Sequence, residues 1–426
     1  MYTLEDWVRH GDELRRPLLV SKGLVDSESL GIVGGGLSGL SLAYRIGLER
    51  PDLPIKLIEK TGRLGGVIET WREDEWICDI SVNAVRPHPS FWRLVDDLGM
   101  SDSFGPSRGI ASSRWIILRG GKHRISPATI LKIGAFGFLR GAFNSRKVGS
   151  SVLDVLQNRE IADAMTLGIV NDTADQVDAN FLFPSLTGFG PKAPISRRSL
   201  QKKISKSYPI FTPRKGSLAS LEGGMEDIIR VLHDTISKMG NVEIILENGE
   251  GGPEELSSAY DIPISSMIWT SSLPGRDHGE TTLSVFAVGF QEEEVSGVEI
   301  GYGTLIPDPN TPISGILHES DIHSSRRAPE GHRLFRLMVP HTRWDGNEQT
   351  VREALRGLNG FSREPAIFRR IGERAIPRYP PGYLSSLKNY AGDLSLAGWT
   401  GSGVSVTHVV DEAERISELF TREQKD

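Results

Sequence analysis

The strongest constraint on the fold is a glycine pattern near the amino terminus. Residues 34–39 spell G-x-G-x-x-G, directly after the apolar run 30–33 and at the start of a segment, 37–50, with helical apolar spacing. A second apolar run, 55–59, follows two prolines. The order of strand, helix and strand predicts a βαβ unit that opens a parallel sheet.

The glycine spacing also predicts a ligand. Gly34 permits a tight turn, Gly36 lets the backbone approach a pyrophosphate, and Gly39 lets the helix pack closely on the strand. The helix then presents free N–H groups to the phosphates. Glu59, twenty residues past Gly39, can accept hydrogen bonds from ribose hydroxyls. We therefore interpret the pattern as a dinucleotide site rather than a turn without a ligand.

Composition narrows the classes of function. A chain of 426 residues is expected to form two or more lobes. The net charge of −6 argues against a nucleic-acid binder, because neutralising phosphates requires a basic surface. Cys78 is the single cysteine, which excludes an internal disulfide and a cysteine-based metal site. We expect a buried thiol rather than a reactive one.

Targeting and membrane signals are weak. No apolar run approaches the roughly 20 residues that a spanning helix needs. The first 30 residues mix acids and bases and match neither a secretory signal nor a transit peptide. These observations predict a cytoplasmic or peripheral membrane protein. The apolar and basic stretch 128–143 has two equally favoured interpretations, an amphipathic membrane anchor or a helix buried in the substrate lobe.

Periodicity predicts further elements along the chain. We expect helices over 89–99, 225–239 and 404–420, and helical structure over 151–185 that becomes a loop around Phe183-Pro184. We expect strands over 242–246, 282–291 and 394–397, and a loop over 247–261. His318, His323 and His341 are too irregularly spaced for a metal site, and we interpret them as surface or loop histidines.

Two further motifs narrow the predicted identity of the ligand. Glu59 is followed by Lys60-Thr-Gly-Arg63-Leu-Gly65-Gly66, and residues 398–406 read Gly-Trp-Thr-Gly-Ser-Gly-Val-Ser-Val. Both resemble motifs of the flavoprotein superfamily that includes amine oxidases, phytoene desaturases and protoporphyrinogen oxidases. The resemblance implies FAD rather than NAD as the cofactor.

Other blocks narrow the resemblance to the oxygen-dependent protoporphyrinogen oxidases. Four blocks, 79–87, 221–225, 301–307 and 375–383, are similar to blocks of that family, and the likeness runs from about residue 30 to 420. It implies oxidation of a porphyrinogen to a porphyrin, with O2 as electron acceptor, in haem biosynthesis. FAD would carry the redox chemistry, and no side chain is assigned a catalytic or metal-binding role.

The resemblance assigns roles to matched positions. The residues that would hold the cofactor are Gly34, Gly35, Gly36, Leu37, Ser38, Gly39, Glu59, Lys60, Arg63, Gly65, Gly66, Val67, Ser81, Val82, Asn83, Ala84, Gly398, Trp399, Val404, Ser405 and Val406. The residues that would contact the substrate are Arg114, Gly168, Gly303, Leu305 and Met338. Arg114 would bind a propionate through two hydrogen bonds, as a guanidinium can. The alternatives are a surface salt bridge for Arg114 and plain core packing for Leu305 and Met338.

The fold class that follows is α/β. We expect a discontinuous Rossmann-like FAD-binding domain, an inserted mixed-sheet substrate domain and a helical subdomain that could associate with a membrane. The expected divisions are an N-terminal extension (1–29), FAD-binding parts at 30–105, 211–280 and 385–426, a helical subdomain (106–210) and a substrate-binding domain (281–384). The expected partners are a porphyrinogen and O2, with no nucleic acid; peripheral membrane contact and a homodimer stay open.

Departures from the family pattern keep other functions open. Ser81-Val82-Asn83-Ala84 lacks an arginine of the family block, Val339-Pro340-His341 replaces V-G-G, and His408 replaces an aspartate. The chain also looks compressed over 145–210 and 245–275. One alternative is another flavin oxidase or desaturase, acting on an amine or a polyene. A second is a FAD-binding protein without oxidase activity.

Overall fold

The computed structural model describes residues 2–118, 121–126, 141, 144–184, 187–207, 218–271, 279–387, 390 and 392–422. The helices are α1 (Leu4–His10), α2 (Leu37–Glu49), α3 (Pro89–Asp97), α4 (Val152–Leu156), α5 (Arg159–Val170), α6 (Ala179–Leu182), α7 (Arg197–Ser207), α8 (Glu226–Ile236), α9 (Pro253–Tyr260), α10 (Glu319–Ile322), α11 (Glu348–Arg356), α12 (Tyr383–Leu387) and α13 (Val406–Arg422).

The strands fall into two large sheets and two short pairs. They are β1 (Leu30–Val33), β2 (Ile55–Ile58), β3 (Thr70–Glu73), β4 (Trp76–Asp79), β5 (Phe104–Pro106), β6 (Arg114–Leu118), β7 (Gly121–Arg124), β8 (Ala219–Leu221), β9 (Val242–Ile245), β10 (Met267–Trp269), β11 (Glu280–Gln291), β12 (Gly303–Leu305), β13 (Gly315–Leu317), β14 (His332–Pro340), β15 (Ile367–Pro377) and β16 (Ser395–Leu396).

The first large sheet is the predicted parallel one. Its order is β16-β10-β1-β2-β9, and every neighbouring pair runs parallel. The unit β1-α2-β2 opens it, as the glycine pattern predicts, and Val33 pairs with Ile58. Strand β1 is buried along its whole length, as expected for a sheet covered on both faces. The carboxyl ends of all five strands meet at one edge.

The second large sheet is mixed. Its order is β15-β11-β14-β13-β12-β6-β7, in which β12 and β6 run parallel and the other pairs antiparallel. Strand β11 lies between the long strands β14 and β15 and is almost entirely buried. The fold is therefore α/β, with a Rossmann-like unit and a separate mixed sheet, which confirms the predicted fold class.

Two predictions about local structure need correction. The segment 247–261 is not all loop, since it contains α9. The segment is rich in Gly, Glu and Ser, but its residues cap a helix well. Pro253 begins the helix, and the side chain of Glu255 accepts a hydrogen bond from the N–H of Gly252. Asp261 adopts a left-handed conformation that ends the helix. The segment 151–185 is not one helix, because Gln157 and Asn171 adopt left-handed conformations that end α4 and α5.

Buried polar side chains give a third correction. His318 and His323 are 1% and 3% exposed, so they are not surface histidines. Each lies beside a carboxylate of α10: His323 hydrogen-bonds Glu319 at 3.0 Å, and His318 lies 3.3 Å from Asp321. Cys78 is buried, as predicted, and burial raises the pKa of its thiol well above the usual value.

The amino-terminal segment packs on the rest of the fold. Leu19 bridges to Leu396 at the edge of the parallel sheet. His10 Nδ1 lies 3.0 Å from Asp411 on α13, and Arg415 donates to the Glu13 carbonyl at 2.9 Å. These contacts join the two ends of the described chain.

No helix in the described ranges is long and apolar enough to cross a membrane. The stretch 128–143, with its two open interpretations, lies outside the described residues except for Gly141.

Candidate active site

A large cavity of about 1420 Å³ lies at the carboxyl edge of the parallel sheet. Gly34, Glu59, Thr270 and Gly398 follow four neighbouring strands and line it. Open α/β sheets bind ligands at this edge. The opposite wall comes from β11, β14 and β15 of the mixed sheet, with α5 and α12 beside them. The cavity therefore lies between the two sheets.

The glycine turn forms one part of the cavity. Gly34 has a φ of 110°, a conformation that favours glycine. A Cβ on Gly39 would lie 1.9 Å from the carbonyl oxygen of Gly34, so only glycine lets α2 pack against the turn. Ser38 lies in the first turn of α2, and its hydroxyl is buried without a hydrogen-bond partner among the described residues. An anion bound at this helix end would supply the missing partner.

Glu59 is held in place before any ligand binds. Its Oε2 accepts a hydrogen bond from the Gly35 N–H at 2.7 Å, and its Oε1 accepts two from Thr61 at 2.8 and 2.9 Å. The carboxylate is 8% exposed and lines the cavity. Since a carboxylate has about four acceptor positions, it can still accept a hydrogen bond from a ribose hydroxyl.

Arg63 lines the cavity, but its guanidinium is occupied by its own loop. It donates to the carbonyls of Leu64 and Ile68 at 3.1 and 3.2 Å, and to that of Gly66. Gly66 packs against Gly36, where an added Cβ would lie 3.2 Å from the Gly36 Cα. Arg63 thus shapes the loop that covers the glycine turn.

The loop after β4 lies on the cavity through Ser81 and Val82. The Ser81 hydroxyl donates to the Val67 carbonyl. Asn83 and Ala84 do not line the cavity, and the Asn83 side chain instead accepts a hydrogen bond from the Tyr302 hydroxyl at 3.5 Å. Of the four residues 81–84, the first two therefore line the cavity, and Asn83 contacts Tyr302 instead.

The glycine-rich segment 398–406 begins close to the glycine turn, residues 34–39. Gly398 has a φ of 72°, and a Cβ there would lie 3.1 Å from the Ser38 hydroxyl. The carbonyls of Trp399 and Thr400 accept hydrogen bonds from the hydroxyls of Tyr379 and Tyr383 at 3.1 and 2.9 Å. These tyrosines also line the cavity, and the sequence analysis missed both.

The mixed sheet supplies the other wall through one row of side chains. Leu305 pairs with Gly315, and Gly315 pairs with Met338, so the three share a face. A Cβ on Gly168 of α5 would lie 3.2 Å from Leu305 Cδ2. The structure therefore brings Gly168, Leu305 and Met338 together. Gly168 and Met338 line the cavity, and Leu305 does not.

Arg114 and Gly303 lie on the mixed sheet, outside the lining of the cavity. They pair with each other across β6 and β12, and neither lines the cavity. The Arg114 guanidinium lies 4.6 Å from the centre of the Tyr302 ring, within cation–π range. Among the described residues no carboxylate pairs with Arg114. This weakens the salt-bridge alternative.

Arg336 is the main cavity residue that the sequence analysis missed. It is 2% exposed, lines the cavity and donates to the carbonyls of Asp79 and Ser81. Its Nε lies 3.0 Å from Glu319, which is fully buried behind it. Burial would raise the pKa of Glu319, but Arg336 and His323 bring it below the usual value. The pair is therefore ionised, with the positive group on the cavity side.

The replacement of a family aspartate by His408 has a local explanation. His408 Nε2 lies 2.9 Å from Glu13 of the amino-terminal segment. Burial would raise the pKa of Glu13, but His408 and Arg16 hold it at about 2. His408 is therefore part of the contact between that segment and α13.

The buried carboxyl group of Glu412 should make the stability of the fold depend on pH. It accepts a hydrogen bond from the Gly398 N–H at 2.6 Å, and burial raises its pKa from 4.5 to about 7. Between pH 4.5 and about 7, the carboxyl group of Glu412 is ionised in the unfolded chain and still protonated in the folded one. The free energy of unfolding therefore falls as the pH rises to about 7, and above that pH this group causes no further change. The full penalty is about 3 kcal/mol. Glu412→Gln should therefore raise the melting temperature at pH 8.5 more than at pH 5.5. An equal shift at both pH values would contradict this assignment.

Most of the positions predicted to hold the cofactor line the cavity. The predicted residues that line the cavity are Gly34, Gly36, Leu37, Ser38, Glu59, Lys60, Arg63, Gly65, Gly66, Val67, Ser81, Val82, Gly398, Trp399, Val404 and Val406. Those that do not line it are Gly35, Gly39, Asn83, Ala84 and Ser405. Gly35 and Gly39 act within the turn itself. No cluster of three or more metal-ligating side chains occurs in the described part of the chain.

The fold and the cavity agree with what comparison with known proteins finds. A family model for NAD(P)-binding Rossmann-like domains matches residues 32–98. Among solved structures, the fold is similar to cyclohexylamine oxidase from Brevibacterium oxydans (TM-score 0.62, 14% identity, covering 94% of this chain and 100% of that chain). Fold, cavity and relatives together are those of a FAD-dependent oxidoreductase.

Within that class the similarity points to porphyrinogen oxidases. The chain is 21% identical to coproporphyrinogen III oxidase of Staphylococcus aureus, over 85% of this chain and 91% of that protein. It is 23% identical to protoporphyrinogen oxidase 2 of Arabidopsis thaliana, over 85% and 87%. A structure from an Exiguobacterium species, provisionally assigned as a protoporphyrinogen oxidase, has a TM-score of 0.64 at 18% identity, covering 93% of this chain and 99% of that chain. The resemblance inferred from the sequence is confirmed.

Proposed function

We propose that this protein is an oxidase that converts a porphyrinogen to a porphyrin, using bound FAD and O2. The observation that carries the proposal is the size and continuity of the cavity. At about 1420 Å³ it exceeds the usual range of roughly 300–1,000 Å³ for a single small-molecule site. It extends from the glycine turn to the apolar side chains of the mixed sheet, so it has room for a cofactor and a large substrate.

The residues present fit the cofactor. The unpartnered hydroxyl of Ser38 and the free N–H groups of α2 suit a pyrophosphate, and the oriented carboxylate of Glu59 suits a ribose. When bound, FAD supplies the capacity to accept a hydride from carbon. Ser81, Val82 and Trp399 would border its ring, as the family resemblance implies.

The chain's own part in the reaction is to position the substrate and exclude water. Met338 and the backbone of Gly168, which line the cavity, would hold an apolar macrocycle against the cofactor. Leu305 and Arg114 do not line the cavity, and their contacts with the macrocycle and with one of its carboxylates are what the family resemblance implies. In total the substrate would lose three hydrides from bridging carbons, and three protons, two from ring nitrogens and one from a bridging carbon; none of the side chains named above is assigned as the proton acceptor. Repeated rounds aromatise the ring, and O2 takes up the electrons as hydrogen peroxide.

The test uses purified holoprotein with protoporphyrinogen IX and, separately, coproporphyrinogen III, because relatives named for both substrates match this chain. Under air, porphyrin fluorescence and the concentration of hydrogen peroxide should both rise. Under argon, the rise in fluorescence should stop once all of the flavin is reduced. Absence of enzyme-dependent fluorescence with both substrates would overturn the proposal. Bleaching of the flavin by amines would favour an amine oxidase, and flavin that no substrate reduces would favour a binding protein.

Arg114→Ala should raise KM for the porphyrinogen at least tenfold while FAD content is unchanged, because a charge-assisted hydrogen bond to a carboxylate contributes about 1.5–3 kcal/mol. The measurement is steady-state fluorescence kinetics together with flavin absorbance. Lys122→Ala is the matched control, since Lys122 lies on the adjacent strand and pairs with Glu299. Unchanged kinetics in Arg114→Ala would remove this residue from the substrate site.

A further inference from the structure

The lining of the large cavity is positively charged, although the whole chain carries a net charge of −6. The cations of the lining outnumber its acids by five to two, and these seven residues are Lys60, Arg63, Arg336, Arg374, Arg378, Glu59 and Glu280. Lys60 and Arg63 follow β2 and lie at the dinucleotide end. The three arginines belong to the opposite wall, so the phosphates of a dinucleotide do not explain them.

Arg336 differs from the other two arginines in its burial. Arg374 lies 3.1 Å from Glu69, a partly exposed acid, and the side chain of Arg378 is itself exposed to solvent. Arg336, on β14, is only 2% exposed. Water and salt screen a buried charge much less than an exposed one. Of the three arginines, Arg336 therefore exerts the strongest field on whatever the cavity holds.

The contacts of Arg336 fix its charge at the cavity wall. Its Nη1 donates to the carbonyls of Asp79 and Ser81, and its Nε lies 3.0 Å from Glu319. A guanidinium binds a carboxylate side-on with two of its nitrogens, each of which donates one hydrogen bond. Because Nη1 and Nε are already engaged, Arg336 is not free to bind a substrate carboxylate in this way. Its charge, rather than a fork of hydrogen bonds, is what it offers to the cavity.

Arg336 is also linked to the segment that covers the glycine turn. The carbonyl of Ser81 accepts from Arg336, and the hydroxyl of Ser81 donates to the carbonyl of Val67. Val67 directly follows Gly66, which packs against Gly36. Ser81 and Val67 both line the cavity. Arg336 therefore belongs to a continuous wall that begins at the dinucleotide end.

We propose that Arg336 tunes the bound flavin, because its positive charge stabilises the negative charge that the flavin ring gains on reduction. A hydride carries two electrons and one proton, so a neutral ring that accepts it gains one negative charge. A fixed cation in a buried wall favours that product without having to reorganise. Glu319 lies behind Arg336 and opposes this effect. The proposal depends on bound FAD and not on the identity of the substrate.

The test removes the two charges of the pair in turn. Glu319→Gln deletes the opposing charge from a side chain that does not line the cavity, so it should raise the reduction potential of the bound flavin. The double variant Glu319→Gln, Arg336→Met deletes both charges and should lower the potential below that of the wild type. Each shift should be at least tenfold in the equilibrium constant, or about 30 mV for a two-electron couple. Potentials are measured against reference dyes, on protein freed of unbound FAD.

Sulfite provides a second measurement, because it adds to the flavin ring and leaves a negative charge there. Its dissociation constant, followed by loss of flavin absorbance, should fall at least tenfold in Glu319→Gln and rise at least tenfold in the double variant. Arg336→Lys keeps the positive charge, so its potential and sulfite affinity should lie closer to the wild type than those of the double variant. Glu330→Gln is the matched control, since Glu330 is an exposed acid outside the cavity lining, and it should change neither quantity.

Two outcomes would overturn the proposal. A pair with a purely structural role would respond alike to both changes, so shifts of the same sign in Glu319→Gln and the double variant would contradict it. An altered KM for the porphyrinogen with an unchanged potential and sulfite affinity would make Arg336 a substrate-binding residue instead. If the double variant retains too little FAD to measure, Glu319→Gln decides alone, since a potential equal to or below that of the wild type would contradict the proposal.

Discussion

Gly39→Ala is expected to abolish tight FAD binding. The new methyl group would lie 1.9 Å from the carbonyl oxygen of Gly34, and 3.2 Å from Leu57 Cδ1. The contact with Gly34 cannot be relieved by turning a side chain, because the carbonyl belongs to the backbone of the glycine turn. Helix α2 must therefore move away from β1, which displaces Ser38 and its N–H groups from the phosphate position. A penalty of about 3 kcal/mol corresponds to roughly a hundredfold weaker binding.

The measurement is FAD titration of the deflavinated protein by fluorescence quenching, with the melting temperature recorded in parallel. Gly240→Ala is the matched control, because a Cβ there meets no atom within 4 Å and its backbone has ordinary dihedral angles. The control should bind FAD like the wild type. If Gly39→Ala also bound FAD normally, the glycine turn would not be the cofactor site.

Arg336→Met is expected to destabilise the fold by about 3–5 kcal/mol, because it leaves the carboxylate of Glu319 buried without its charge partner. Arg336 and Glu319 are 2% and 0% exposed, and their Nε and Oε1 atoms lie 3.0 Å apart. The same substitution removes the donors to the carbonyls of Asp79 and Ser81. Since Ser81 and Val82 line the cavity, FAD affinity should fall as well.

Urea unfolding and FAD titration separate the two effects. The double variant Glu319→Gln, Arg336→Met removes both charges and should recover much of the stability, but not the FAD affinity, since the two carbonyls stay without a donor. Lys238→Met, at an exposed helix end, should change neither quantity. A fully stable Arg336→Met protein would show that the pair is not ionised in the fold.

Some of the cavity could be predicted because short segments dictate it. The residues 34–39 form a turn whose backbone conformation and close packing require glycine, and such requirements can be read locally. Gly398 is similar, because its positive φ is a local backbone conformation that favours glycine. Glu59 follows from its distance along a strand–helix–strand unit. In each case the constraint involves few residues close together in the chain.

Other parts could not be predicted because they depend on packing between distant segments. Arg336, Tyr379 and Tyr383 are ordinary residues of a strand, a loop and a helix, and nothing nearby in the sequence marks them. They reach the cavity because the mixed sheet and α12 pack against the edge of the parallel sheet. His323 was expected to be a surface or loop residue, but it is 3% exposed, with Glu319 3.0 Å from its Nε2 and Arg327 3.4 Å from its Nδ1.

The βαβ unit, the dinucleotide class of ligand and the likeness to flavin-dependent porphyrinogen oxidases can all be inferred from the amino-acid sequence. These depend on backbone geometry and on motifs a few residues long. Three other features follow only from the packing of the folded chain: the side chains of the far wall of the cavity, the contact of Asn83 with Tyr302, and the pairing of His408 with Glu13. Those contacts join residues hundreds of positions apart, and their energies depend on burial and distance, which exist only once the two sheets have packed together.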